Sequence, residues 1–177
     1  MEKVILVDKK DNEIGTVDKM EAHVQGLLHR AVSVLIFNTK GEMLLQQRAF
    51  DKYHSGGLWT NATCTHPRKN ESNIDAAKRR LVEEMGISAE LEEKFIFKYK
   101  AFLDNDLIEH ELDHVFFGVT DKFPVLNSEE AVNFKYISYL ELITDIEQNP
   151  DLYTVWFKII MKEGEKEIFK MNNKLSM

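Results

Sequence analysis

Hydrophobic and polar positions along this chain follow two periods, and the switch between them marks its elements. Val4 to Val7 is an apolar run flanked by charge and closed by a turn at Asp11-Asn12, which reads as a strand. Ala31 to Phe37 is rich in β-branched and aromatic residues and predicts a buried strand. The turn residues Asn38-Thr39-Lys40-Gly41 lead it into a hairpin partner over Glu42 to Arg48. From Ser72 the period lengthens. Ile74, Ala77, Leu81 and Met85 share one face at helical spacing, predicting a helix from Ser72 to Met85. Ser72 and Asp75 resemble a capping box, and Gly86 is a natural stop. Arg79, Arg80, Glu83 and Glu84 then lie away from the core stripe. Phe95 to Phe102 and Glu109 to Val119 read as strands joined by the turn Asp104-Asn105-Asp106, and Val132 to Ser138 as a further strand. Tyr139 to Gln148 and Leu152 to Lys162 read as closing helices separated at Pro150. The segment from His23 to His29 shows neither period clearly. Strands in the middle flanked by helices indicate an α+β sandwich.

Length and composition narrow this picture. A chain of 177 residues suits one domain with a substantial core, expected over residues 1–177 with its centre at about 30–162. The 44% hydrophobic and 30% charged residues are those of a globular protein. A net charge of −7 argues against nucleic acid as the main partner, so an anionic ligand would need local basic residues or a divalent metal. The single cysteine excludes an internal disulfide and suits a reducing, cytoplasmic setting. The N-terminal residues do not read as a signal peptide, and the longest apolar stretch is too short to span a bilayer, so no membrane partner is expected.

Chemistry-bearing residues gather in two places. Glu109, Glu111 and Asp113 alternate along one predicted strand and share a face. Three like charges there demand water, cations or a metal, and a solvated strand face competes evenly with a site. The only thiol, Cys64, lies two residues from His66, and both sit in the polar run before the Ser72 helix. His66 precedes Pro67 and should be extended. Histidines and glutamates together make a mixed N/O set suited to Zn²⁺ or Mn²⁺. A zinc site of Cys64, His66, His23 and His29 is a competing reading, which leaves Glu109 and Glu111 unexplained. Taken singly, Arg80 and Glu84 read as an i,i+4 surface ion pair, and Tyr99 and Trp156 as core aromatics.

Glu71, Arg79, Leu81, Glu83, Glu84, Gly86 and Ile87 stand in the register of a Nudix box. Thr65 replaces its leading glycine, and Arg80 replaces the glutamate that helps hold a metal for pyrophosphate hydrolysis. Arginine there suits gripping a diphosphate more than cutting it. Together with Trp59-Thr60-Asn61, Cys64-Thr65-His66-Pro67 and the Glu109-His110-Glu111 motif, the chain from Lys19 to Trp156 resembles type 1 isopentenyl diphosphate isomerases. The resemblance implies a Nudix-type α/β/α sandwich with a mixed central sheet and a flavin-free, metal-dependent isomerase. It implies a metal cage of His23, His29, His66, Glu109 and Glu111 for Zn²⁺ or Mn²⁺. Mg²⁺ on the diphosphate would use Glu84. Cys64 and Glu111 would be the acid–base pair, with Tyr99 orienting Glu111 and Trp156 facing the hydrocarbon. Lys19, Arg48, Lys52 and Arg80 would hold the diphosphate of an isoprenoid substrate. A monomer or weak homodimer is expected. A Nudix hydrolase of a nucleoside or isoprenoid diphosphate, and a non-catalytic metal-binding domain, are the alternatives.

Overall fold

The computed structural model describes residues 2–175. All its strands belong to one nine-stranded mixed sheet. Its spine is β3 (His29–Phe37), where every residue but Arg30 is buried. β3 runs parallel to β8 (Ile108–Val119) along its whole length, from His29 opposite Glu111 to Phe37 opposite Val119. Along its other edge β3 meets three short partners in turn. These are β1 (Lys3–Val7) at His29, β6 (Thr63–Thr65) at Val32 to Val34, and β4 (Met43–Arg48) at Ile36 and Phe37. β2 (Glu13–Asp18) extends the sheet beyond β1, and β5 (Trp59–Thr60) and β9 (Ala131–Ile137) both pair with β4. β7 (Leu91–Phe102) closes the far edge against β8.

Period-two alternation divides the sheet into two faces. Val32, Val34, Ile36, Leu44 and Phe116 face α2 (Asn73–Met85), which returns Ala77, Leu81 and Met85. Leu35, Phe37, Val115 and Phe117 face the other way. There they meet α3 (Tyr139–Gln148), α4 (Val155–Glu163) and α5 (Glu165–Leu175) through Leu142, Phe157, Ile160 and Ile168. One helical layer on each face of the sheet makes an α/β/α sandwich.

The helix from Ser72 forms as the pattern predicts, with two refinements. Ser72 Oγ accepts the Asp75 N–H at 3.2 Å, but the Asp75 carboxylate takes the Ser72 hydroxyl at 2.6 Å, so only half of a capping box forms. The reciprocal box belongs to α3, between Ser138 and Glu141. Gly86 ends α2 at φ 63°, and a Cβ there would lie 2.6 Å from the Val125 carbonyl, so glycine is required twice over. The helix expected from Leu152 to Lys162 is shorter. Pro150–Leu152 is a 3₁₀ turn, and α4 starts only after Thr154 caps it. Two elements lie where no period was visible, β2 and α1 (Lys19–Gln25), and α5 extends the core beyond residue 162.

Leu81 is fully buried against β3. Leu81→Ala should destabilise the chain by about 2–5 kcal/mol. Urea unfolding should show a lower midpoint at unchanged slope.

Candidate active site

At the β1 end of β3 the face that carries Leu35 and Phe37 turns polar. The same alternation that buries them presents His29, Ala31 and Ser33 on that side, and Glu109, Glu111 and Asp113 from β8 beside them. α1 adds Lys19 and His23, one turn apart, after Asp18 accepts the Met20 N–H at 3.2 Å. β6 brings Cys64 opposite Ser33, and His66 follows it. β7 sets Tyr99 opposite Glu111. α4 closes the floor with Trp156. A cavity of about 280 Å³ lies between these elements, lined by Lys19, His23, Cys64, His66, Glu111 and Trp156 among others.

One potential ligand atom from each of His23, His29, His66 and Glu111 lies within 4.8 Å of the others. The set fits a divalent metal. His23 Nδ1 lies 2.8 Å from the Lys19 carbonyl and His29 Nδ1 lies 2.8 Å from the Leu27 carbonyl. Both contacts place the proton on Nδ1 and leave Nε2 free as donor. His29 Nε2 is buried without a hydrogen-bond partner, and Glu111 Oε1 lies 3.1 Å from His66 Nε2. Burial draws His66 down to about 4, against the pull of Glu111, and burial also lowers His23, so both stay neutral and able to ligate. Glu111 has the opposite shift. Burial alone would raise it, but contacts from His29 and His66 hold it well below the carboxylate range.

Glu109 stands one step away, linked through Tyr99. The phenol oxygen is 2.7 Å from Glu111 Oε2 and 2.9 Å from Glu109 Oε2. One hydroxyl proton cannot serve two carboxylates. Burial, with repulsion from Glu111, pushes Glu109 well above the usual carboxylate range. Cys64 lies outside the His/Glu group, which removes the Cys64–His66 zinc reading among the described residues. Its thiol contacts Asn61 Oδ1 at 3.2 Å and Ser33 Oγ at 3.4 Å. Burial and nearby Asp113 push it far above the ordinary thiol range.

The Arg80–Glu84 pair is no surface salt bridge. The Glu84 side chain is only 5% exposed, 2.6 Å from Arg80 and 2.7 Å from Gln46 Nε2. Lys19, Arg48, Lys52 and Arg80 all line the cavity. Glu130 holds both Lys52 and Arg80, at 2.5 and 3.3 Å, and Lys19 pairs with Glu2 at 3.1 Å. Arg48 stacks 5.1 Å from the Trp156 ring while donating to the carbonyls of His54 and Ser55. Glu130 and His54 escape sequence reasoning. Glu130 sits in an acidic loop with no motif around it. His54 is buried edge-on to Trp156 at 5.6 Å, and burial with neighbouring Arg48 lowers it to about 3.

Residues 27–157 match the NUDIX domain family. The chain is 50% identical over 155 residues to an isopentenyl-diphosphate Delta-isomerase 2 of Aromatoleum aromaticum, covering 88% of this chain and 82% of that one. It is 52% identical over 162 residues to an isopentenyl-diphosphate Delta-isomerase of Serratia proteamaculans, covering 92% and 90%. The chain belongs to the isopentenyl-diphosphate Delta-isomerase family, within the Nudix fold. Solved structures share that fold at low identity. DR0079 of Deinococcus radiodurans aligns with TM-score 0.72 at 14% identity over 91% of this chain and 98% of its own. A MutT protein of Methanosarcina mazei Go1 aligns with TM-score 0.64 at 21% identity over 79% and 94%.

Two measurements probe this geometry. His29→Ala should lose one equivalent of Zn²⁺ in calorimetric titration of the metal-free protein while keeping its far-UV spectrum. His54 stays neutral in the fold and takes up a proton near pH 6.5 when unfolded. It therefore favours the fold above about pH 6.5, and this advantage shrinks as pH falls towards about 3. Asp113, raised to about 8 by burial and Glu111, acts in the opposite sense between about pH 8 and 4, so only a difference is diagnostic. The melting temperature of His54→Gln relative to the parent should climb as pH is lowered from about 6.5 to about 4.

Proposed function

We propose that this chain interconverts isopentenyl and dimethylallyl diphosphate by a proton-in, proton-out allylic shift, as a step of isoprenoid biosynthesis. The observation that supports the reading is the pairing of a thiol and a carboxyl in the lining of one cavity. Cys64 enters from β6 and Glu111 from β8, on either side of β3. An unactivated alkene needs a proton delivered to one carbon and another removed from the far end of the allylic unit. Two groups on opposite walls meet that need. The relatives named as isomerases support this reading over most of the chain, 88% and 92% of it.

The remaining residues take roles that follow from their places. Tyr99 holds Glu111 in one orientation through its 2.7 Å hydrogen bond. Trp156 offers its ring to the hydrocarbon, where a tertiary cation in a dry pocket gains about 2 kcal/mol from a desolvated π face. In this reading Arg48 leaves that ring for the diphosphate as substrate binds. Lys19, Lys52 and Arg80 complete the anion site.

His23, His29, His66 and Glu111, with Glu109 alongside, would hold Zn²⁺ or Mn²⁺, which supplies Lewis acidity close to the Glu111 carboxyl. Glu84 would hold Mg²⁺ through a hard oxygen, and the ion would offset charge on the diphosphate. For that, Arg80 must shift from Glu84 towards the diphosphate. We place the enzyme in the cytoplasm, acting on a small diphosphate as a monomer or weak homodimer. No helix among the described residues is long and apolar enough to cross a membrane.

The test is turnover of isopentenyl diphosphate with Mg²⁺, with and without added Zn²⁺ or Mn²⁺, following dimethylallyl diphosphate and free phosphate together. Isomer without phosphate release is expected. Phosphate without isomer would make the chain a hydrolase in spite of Arg80. Cys64→Ala and Glu111→Gln should each lower kcat by at least about 10³-fold. Normal turnover by either would remove that residue from the acid–base pair.

A further inference from the structure

Two buried polar side chains have no part in the chemistry above. Ser33 lies in the middle of β3, 2% exposed, in a strand otherwise built of Val32, Val34, Leu35 and Ile36. Alanine or valine would suit that environment better, because a buried hydroxyl is tolerated only when it is bonded. Its Oγ lies 2.7 Å from Asp113 Oδ2 and 3.4 Å from Cys64 Sγ. Asp113 is 1% exposed, and its other oxygen, Oδ1, has no partner. A carboxyl held there by one serine is expensive to bury and contributes no packing.

Hydrogen-bond direction gives the arrangement meaning. The Ser33 hydroxyl has one proton, and it is donated to Asp113 Oδ2, an oxygen that accepts it even when the carboxyl carries its own proton on the partnerless Oδ1. Its lone pairs are what remain for sulfur. On the other side of the thiol stands Asn61 Oδ1 at 3.2 Å. That amide cannot turn over, because its nitrogen donates to the carbonyls of Val34 and Thr63 at 3.2 and 2.8 Å. The one thiol proton is therefore donated to Asn61 Oδ1, and Ser33 Oγ, fixed by Asp113, packs against the sulfur from the other side at 3.4 Å, which selects one setting of a side chain that otherwise rotates freely.

We propose that Ser33, locked by Asp113, is a positioning residue for Cys64, holding the thiol in the one orientation from which it exchanges a proton with the alkene. The proposal rests on the isomerase reading for its kinetic consequence, but not for its structural one. A reacting atom displaced by about 1 Å can lose about 10²-fold in rate without weaker binding. The effect should therefore fall on kcat and spare KM.

Cys64 is the only cysteine, so the S–H stretching band in the Raman spectrum of the full chain belongs to it alone. In Ser33→Ala that band should move to higher frequency and broaden. Its kcat should fall about ten- to hundredfold with KM within about twofold of the parent. Ser33→Thr keeps the hydroxyl and should restore both the band and most of the rate. Asp113→Asn should also move the band, because its amide can donate to Ser33 and turn the serine proton towards sulfur. The double variant should be no slower than Ser33→Ala alone, because both changes break one linkage. An unmoved band in Ser33→Ala would overturn the proposal, as would losses that simply add. If Ser33→Ala does not fold, Asp113→Asn decides by the same band. The spectra need no substrate, so a parent protein without isomerase activity would refute the functional reading and leave the band shift to be judged separately.

Discussion

The parallel ladder between β3 and β8 is the constraint on which everything else hangs. It fixes which residues share a face, and one register serves both ends of the sandwich. At one end it sets Leu35 opposite Phe117 and Phe37 opposite Val119, and Leu35, Phe37, Val115 and Phe117 lie together beneath the closing helices. At the other it sets His29 opposite Glu111 and Ala31 opposite Asp113. A slip of one residue would drive the carboxylates into the α2 layer and turn the apolar residues into the cavity. Core and site therefore cannot be specified separately. The apolar half supplies the free energy that holds the polar half in place.

That polar half is electrostatically costly. Glu109, Glu111, Asp113 and Glu84 are all buried, and so are His23, His29 and His66, which gather around Glu111. The strain is relieved unevenly. Glu111 is stabilised by imidazoles, Glu109 is pushed up by burial beside Tyr99, and Glu84 is paired with Arg80. Adjacent carboxyls are thus shifted in opposite directions by their surroundings, a common basis for acid–base chemistry near neutrality. A divalent cation among the imidazoles would relieve the crowding further.

Much of this was legible in sequence, for identifiable reasons. α2 was visible because four apolar residues repeat at helical spacing between a capping serine and a terminating glycine. The carboxylate row was visible because strand alternation needs no tertiary information. α1 was not visible, since a seven-residue helix with only Ala22 and His23 buried carries no stripe. β2 failed for a related reason, as none of its residues is fully buried. Glu84 was misjudged because the helical wheel shows which residues avoid the α2 core and not whether a second surface, here Gln46 and the cavity wall, covers them. Ser33 left a trace that was readable in principle, a lone hydroxyl inside an aliphatic run.

Glu130 bears on selectivity. Because it already holds Lys52 and Arg80, the basic corner of the cavity is occupied by a carboxylate of the chain itself. An incoming anion exchanges one set of ion pairs for another, and its net gain depends on how far its charge exceeds that of one carboxylate. Singly charged anions gain little from the exchange. Ligands carrying two linked phosphoryl groups can engage both cations at once and leave Glu130 to water. The corner thus acts as a threshold on ligand charge, set by a residue that need never touch the hydrocarbon.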